Sequence, residues 1–429
     1  MVSASTPKTR FTTPAEHNVG VHPEEPMFNA SRAVTIADLR NLARRRLPEF
    51  AFVPMETGSG DGSGPARNLQ ALNEYLLGAR ALVDVTQTEQ KVTVFGQTYS
   101  SAFGISAVGY AGNLRHGADE LLAEAAAAAN IPFMLSGGSS ASIETIARIA
   151  PKHVWQQLYA ARDPKLTEHF IGRARDAGVT VLVYTADSPL PPRNEWLVRR
   201  GIRLPTAVRP SSWPYVAWQA LTHPAWTFEH VSQGGLPRME SWAPYAPEGA
   251  GTATIAKAFQ QQVPNIKTWS EVDRVRRLWP GKLVVKGIVD AEDARRSVEA
   301  GADAVTVSNH GGNKLDCMAA SIDFLPGVVS AIGSGAPVFF DGGIRRGSDI
   351  LTACALGAQF CFVGRATLYG VIAGGRAGAA HAIDILHNEI TRTLTLIGCP
   401  SVSEMGPQFL ARSPRRTEMG LQFLTGSAR

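Results

Sequence analysis

The 429-residue chain is sparing with cysteine. Its four, Cys317, Cys354, Cys361 and Cys399, fall into no CxxC or zinc-finger spacing, which speaks against both a thiol-ligated zinc and a disulfide framework. So few thiols suit a reducing cytoplasm, and Cys354 and Cys361, set in apolar stretches, read as buried structural groups. No apolar run approaches the about 20 residues that a membrane span needs. Residues 1–30 mix Thr, Pro, His and Glu without an apolar centre, so they read as a loose arm and not a secretory signal. The ten histidines contain no HExxH or paired-ligand spacing, so no metal is expected. Basic residues outnumber acidic ones by five, but they are scattered in short groups such as Arg199 and Arg200 or Arg345 and Arg346. Without a basic run interleaved with aromatics, nucleic acid is not the expected partner; a small anionic ligand is.

What the chain does have is a large core: 44% of its residues are hydrophobic and 18% charged, as in soluble globular proteins. The length exceeds one typical domain, yet it also suits a single α/β barrel with insertions. Short apolar runs at 101–109, 132–137, 153–159, 179–187, 282–288, 304–310, 337–342 and 360–364 alternate with Ala- and Leu-patterned stretches at 118–130, 142–150, 164–177, 291–300 and 348–356. Eight such βα units predict a closed (β/α)8 TIM barrel over residues 31–400. A helical segment (35–46) precedes it, and a polar, basic tail without assigned fold (401–429) follows. Between the fourth and fifth strands lies an insertion, about 193–262, rich in Pro and Trp. Connections this long in compact domains are commonly lids.

In such a barrel the chemistry sits where strands end. The third strand ends in Gln157 and Tyr159, the fourth in Thr185 and Asp187, the fifth in Lys286, the sixth in Ser308-Asn309-His310, the seventh in Asp341-Gly342-Gly343 and the eighth in Gly364-Arg365. Burying polar groups is costly without partners, so their recurrence at corresponding ends points to a site. The run PVFFDGGIRRGSD, from Pro337, is a strand, a Gly-rich turn and a helix start, a geometry that receives phosphate, with Arg345 to add a charged fork. One such turn is often only a turn; a second, at Gly364-Arg365, strengthens the phosphate reading. Lys286 is either half of a barrel ion pair or a fixed charge beside an electron-accepting ring. His310 is either a structural hydrogen-bonder or a general base whose imidazole Asp187 holds and whose pKa it raises; Asp187 alternatively caps its local turn.

The stretch VSNHGGNKLD, with LVVKGIVDAEDARRSVEAGADAV before it and FFDGGIRRGSDILTACALGAQFCFVGRA after it, resembles the FMN-dependent 2-hydroxy-acid oxidase and dehydrogenase family, which includes glycolate oxidase, lactate oxidase and mandelate dehydrogenase. The resemblance runs from about residue 34 to 397. It implies FMN as cofactor and oxidation of an α-hydroxy acid, or a related α-hydroxy carbonyl compound, to the keto product. His310 is then the base and a hydride equivalent reaches flavin N5. Asp187 matches the carboxylate partner of that base, Tyr159 the tyrosine contacting the substrate oxygen, and Lys286 the lysine beside the flavin N1–C2 edge. Ser136, Gln157, Thr185 and Ser308 fall where the family holds the ring and ribityl chain; Asp341, Gly343, Arg345, Gly364 and Arg365 match the ribityl and phosphate cradle. The family also implies a homo-oligomer, tetramer or octamer. It leaves the electron acceptor open among oxygen, quinone and cytochrome.

Four departures concern the substrate. Pro54 stands where the family has an active-site tyrosine, Asn194 where it has a carboxylate-binding arginine, with Arg193 one step short as a poor stand-in, and Asn313 where it has the second arginine, with Lys314 one step on. Gly138 replaces a bulky pocket residue and should enlarge the cavity. Asparagine cannot reproduce a guanidinium's charged, bidentate grip. The HGGN variant and the Trp-rich insertion are similar to a flavoprotein of mycofactocin biosynthesis. An alternative is therefore a natural-product oxidase acting on an amine, lactam, amide or ester, and a third is a flavin-binding protein without catalysis.

Overall fold

The computed structural model describes residues 29–411, apart from 204 and 264. The expectations for residues 1–28 and 412–429 lie outside the described residues. Eight parallel strands close into a barrel in sequence order: β1 (Phe103–Ile105), β2 (Phe133–Leu135), β3 (Val154–Leu158), β4 (Val181–Thr185), β5 (Lys282–Ile288), β6 (Ala304–Val307), β7 (Val338–Asp341) and β8 (Phe360–Val363), with β8 pairing back onto β1. All eight predicted units are there. Every strand residue except those at the ends of β5 is buried on both faces, which is why each reads as a continuous apolar run without alternation.

Three helices precede the barrel: α1 (Ile36–Arg46), α2 (Glu49–Thr57) and α3 (Ser63–Asn73). The connections contribute α4 (Ala118–Ala128), α5 (Ile143–Ile149) and α6 (Pro164–Asp176), then α7 (Glu195–Arg200), α8 (Trp213–Thr222), α9 (Pro224–Ser232), α10 (Thr252–Gln262) and α11 (Trp269–Leu278). After β5 come α12 (Ala291–Glu299), α13 (Ser321–Ile332), α14 (Gly347–Ala355) and α15 (Arg365–Ile397). Their starts follow local chemistry. Thr35 and Asp38 form a capping box at α1, Ser142 caps α5, and Asp290 caps α12 through two backbone N–H groups.

The barrel's interior is filled by Met134, Trp155, Val183, Val284, Phe339, Phe360 and Phe362. A hairpin, Val92–Val94 with Gln97–Tyr99, closes its floor. Phe95 at the hairpin tip packs at a tilt on Trp155 and edge-on against Phe339, and Tyr99 packs at a tilt on Phe360. With that end plugged, only the C-terminal ends of the strands are available for a site. Residues 401–411, assigned no fold from sequence, in fact pack down: Val402, Met405 and Phe409 are buried, and Leu410–Ala411 pairs with Leu76–Leu77. Among the described residues no helix is long and apolar enough to cross a membrane.

The insertion is mostly helical. One face of α9 docks on the body: Trp226 meets Phe50 edge-on at 5.5 Å and donates its indole N–H to the Asn113 carbonyl. The opposite face of α8 and α9 is apolar and uncovered, with Trp213, Trp218, Leu221, Phe228 and Val231 all more than half exposed.

Candidate active site

β4 and β6 flank β5, and residues just beyond their ends meet across it. His310 Nδ1 lies 2.9 Å from Asp187 Oδ1, and Nε2, on the far side of the ring, faces the Tyr159 hydroxyl at 3.4 Å. Facing a carboxylate acceptor, Nδ1 carries the proton, which leaves the Nε2 lone pair open. Burial pushes the Asp187 carboxyl up, but the bonded imidazole and the charges of Lys286 and Lys314 outweigh it and hold the carboxyl well below the usual range. Burial also pushes His310 down. Asp187 pulls the other way, yet Lys314 and Lys286 add to the burial, and the result is a histidine below its ordinary value. The expected rise from Asp187 alone is thus overturned by burial and two lysines. Tyr159 is pushed up, chiefly by burial and then by Asp187, and stays protonated.

The backbone is shaped to this pair. His310 itself has φ +58°, a left-handed conformation uncommon outside glycine. Gly287 has φ +97°, and a Cβ there would sit 2.5 Å from Asp187 Cγ. The glycine after Lys286 therefore makes room for the carboxylate that holds the histidine.

Below the pair, the other strand ends join in one buried network. Lys286 Nζ is 2.8 Å from Asp341 Oδ2 and donates to Ser308 Oγ at 2.9 Å; Ser106 Oγ donates to Asp341 Oδ2 at 3.2 Å. Gln157 donates to Thr185 Oγ1 at 2.7 Å and accepts from Ser136 Oγ at 3.3 Å and from the Gly137 N–H at 2.8 Å. The ion-pair reading of Lys286 thus holds, with its ammonium also bonded to Ser308 at the neighbouring strand end. Ser106 carried no signal in the sequence beyond lying in the first strand.

These residues fit FMN. Asp341 Oδ1 is buried without a partner among the described residues, an acceptor placed for a ribityl hydroxyl. A Cβ at Gly364 would meet nothing closer than Val108 Cγ2 at 3.7 Å, and one at Gly109 nothing closer than Ser136 Oγ at 3.6 Å, so neither turn is crowded by its neighbours. Burial and the neighbouring Arg345 push the Arg365 guanidinium down to about 10. Two cations held close enough to repel make an anion site. The cradle differs from expectation in two respects. The N–H groups leading into α14 are already taken, those of Arg345 and Arg346 by Asp349 and that of Gly347 by Glu389, whereas α15 begins at Gly364 with no side-chain cap. Gly343 is packed against Leu72 and Asn68 of α3, not turned to the open side. Arg365 also braces α2 and the histidine turn, donating to the Met55 and Gly311 carbonyls.

The substrate side departs most from expectation. Arg193 is exposed, and among the described residues only its backbone is engaged, with Ser59 and Gly60, so it is not brought to the Asp187–His310 pair. Asn194 is buried as the cap of α7, accepting from Leu197 N–H and donating to Thr57 Oγ1 and the Gly58 carbonyl. Asn313 is turned against Gly58, whose added Cβ would lie 3.0 Å from its Oδ1. Pro54 lies inside α2. The cavity expected from Gly138 is filled: Phe259 Cζ and Met239 Cε would stand 3.3 and 3.4 Å from a Cβ there. Phe259, from α10, also meets Tyr159 and Tyr110 edge-on. The insertion therefore supplies the apolar wall that the strand-two loop lacks, a role that no local pattern around Phe259 announced.

Comparison with known proteins agrees with this geometry. The FMN-dependent dehydrogenase family matches residues 43–412. The (S)-mandelate dehydrogenase of Pseudomonas putida is 34% identical over 375 residues, 87% of this chain and 93% of that protein. An L-lactate dehydrogenase of Caulobacter vibrioides is 33% identical over 88% of this chain and 98% of its own. A crystal structure of (S)-mandelate dehydrogenase, described as a monotopic membrane protein, superposes with a TM-score of 0.83 at 33% identity, covering 89% of this chain and 99% of that one. A match of this extent, with relatives a third identical along nearly their whole length, makes this chain a member of the FMN-dependent dehydrogenase family.

Proposed function

We propose that the protein oxidises an α-hydroxy acid with an apolar side chain to the α-keto acid. The observation that carries this is the 2.9 Å bond between His310 Nδ1 and Asp187 Oδ1, which leaves Nε2 open beside Tyr159. His310 Nε2 accepts a proton from the substrate, Asp187 fixes the ring and stabilises the imidazolium that forms, and Tyr159 donates its hydroxyl proton to a substrate oxygen. Bound FMN supplies the two-electron acceptor that turning CH–OH into C=O requires. Ser136, Gln157, Thr185, Lys286, Ser308 and Asp341 would hold its ring and ribityl chain; Arg345, Arg365 and the start of α15 would hold its phosphate. Phe259, Met239 and Tyr110 receive the substrate's side chain. The relatives named for mandelate and lactate support the substrate class. Anaerobic addition of 2-hydroxy acids to the yellow holoenzyme tests it. Bleaching of the flavin band is expected, faster for aromatic acids than for lactate, and no bleaching by any of a broad set of acids overturns the reading.

We further propose that the protein works at a bilayer surface and not free in the cytoplasm. The support is the uncovered stripe of Trp213, Trp218, Leu221, Phe228 and Val231, with exposed Arg199, Arg203 and Arg209 on the same insertion, together with the monotopic relative. Aromatic residues with neighbouring arginines suit the interface of an anionic membrane. Cosedimentation with phosphatidylglycerol-containing vesicles is expected to capture the holoenzyme. Replacing Trp213, Trp218 and Phe228 by Ser should weaken capture at least about tenfold with turnover intact. Equal capture of both forms overturns the proposal.

A further inference from the structure

Neither asparagine at the family's arginine positions reaches the reacting groups, yet the pocket is not short of positive charge. Lys314, next to Asn313, is half-buried and has no hydrogen bond or ion pair within 4 Å among the described residues. It lies close enough to act electrostatically on both His310 and Asp187. A second lysine, Lys267, enters from the segment between α10 and α11. Its Nζ donates to the carbonyl of Ser188, the residue after Asp187, at 3.0 Å, and its charge and that of Lys314 repel each other. Lys286 has its own counter-ion in Asp341. Lys286, Lys314 and Lys267 thus stand around Asp187 and Asp341; Glu271 also acts on Lys267 but is itself paired with Arg274, so Lys314 is the lysine left without a bonded anion among the described residues. Half-buried ammonium groups are tolerated when something neutralises them.

Building on the proposed oxidation of a hydroxy acid, we infer that Lys267 and Lys314 together bind the substrate's carboxylate, in place of the arginine pair that this chain lacks. Lys267 is anchored on the carbonyl of the residue after Asp187, and Lys314 follows His310 by four residues and acts on both members of the pair, so a carboxylate held between them lies beside the reacting pair. The arrangement separates recognition from chemistry, because neither lysine exchanges a proton with the substrate. Lysine binds as a compact point charge and not as a planar fork, so the clamp tolerates more variation in carboxylate orientation than a guanidinium pair. It also titrates. Burial pushes Lys267 down to about 8, with Lys314 adding to the effect and Asp187 and Glu271 opposing it, so the clamp loses charge as pH rises through that value.

The test is steady-state and binding measurement on the holoenzyme with a 2-hydroxy acid and with its amide. Lys267→Met and Lys314→Met are each expected to raise KM for the acid by about 10- to 100-fold, the scale of a charge-assisted hydrogen bond. The KM of the amide should change far less than that of the acid in both variants; Lys314→Met also relieves the push on His310, so its readout is the acid-over-amide ratio and not kcat. Lys267→Arg should keep the preference for acid. In the unaltered enzyme, binding of the α-keto acid product, read as a flavin absorbance shift, should weaken above about pH 8, and this readout needs no variant to fold. Unchanged acid-over-amide preference in both Met variants, or product binding flat from pH 7 to 9, overturns the clamp and leaves the proposed oxidation standing. If no hydroxy acid reduces the flavin but the α-keto acid still binds through both lysines, the clamp stands and the proposed oxidation falls.

Discussion

Replacing His310 with asparagine is expected to lower kcat by about 10²- to 10⁴-fold, the usual contribution of a positioned general base, while the protein keeps its flavin. Asparagine is the informative choice because of the backbone. With φ at +58°, alanine would add left-handed strain to the loss of the base, whereas asparagine visits that region readily. Asparagine can still donate toward Asp187 but cannot take the substrate's proton. Rapid-reaction measurement of flavin reduction separates the chemical step from product release, and retained reduction at near-native rate would sink the role of His310. The same base sets the acid limb of the pH profile. It must be neutral to act, and burial with Lys314 and Lys286 holds it below its ordinary value. kcat/KM should therefore persist as pH falls past about 6.5, where an ordinary histidine would already be half protonated. A limb centred above that value would contradict the environment described.

Lys286→Met is expected to cost about 3–5 kcal/mol of stability, the scale for removing one partner of a buried ion pair. Lys286 and Asp341 are 4% and 5% exposed, so water cannot replace the lost ammonium. Asp341 would keep only Ser106 as a donor. Denaturant unfolding of the flavin-free protein reads the effect without the contribution of bound FMN. Adding Asp341→Leu to Lys286→Met should recover most of the stability, because the uncompensated charge is gone, but not the flavin, because both groups line its cradle. If the single variant is as stable as the parent, the pair contributes little, and the network at the strand ends is held by its neutral hydrogen bonds.

The barrel was legible because each strand is buried on both faces and each connecting helix carries an apolar stripe, so the chain alternates between two unmistakable patterns. The site at the strand ends was legible for a related reason: Gln157, Thr185, Lys286, Ser308 and Asp341 are polar residues where a core would not accept them without a purpose. What escaped the sequence was long-range. The capping role of Asn194 was readable from its place before α7, but that its amide would be tied up by Thr57 and Gly58 was not. Arg193, the neighbour offered in its stead, points its charge to solvent. The direction of the His310 shift depends on burial and on the charges of Lys314 and Lys286, whose combined weight against the obvious Asp187 only the folded arrangement shows. Lys267 sits in an irregular stretch with no periodicity, and only the return of the chain from the insertion brings it to Ser188. The emptiness expected at Gly138 failed in the same way, since its filler lies 121 positions later.

That last separation has a consequence for how such an enzyme can diversify. The groups that do the chemistry grow out of the barrel's rim, where moving one disturbs β-strand register and a shared ion network. Phe259 and Met239, which wall the proposed substrate side of the site, hang on a stretch that the barrel does not need for closure. Selection can rewrite the guest list there while the machinery underneath is inherited unchanged.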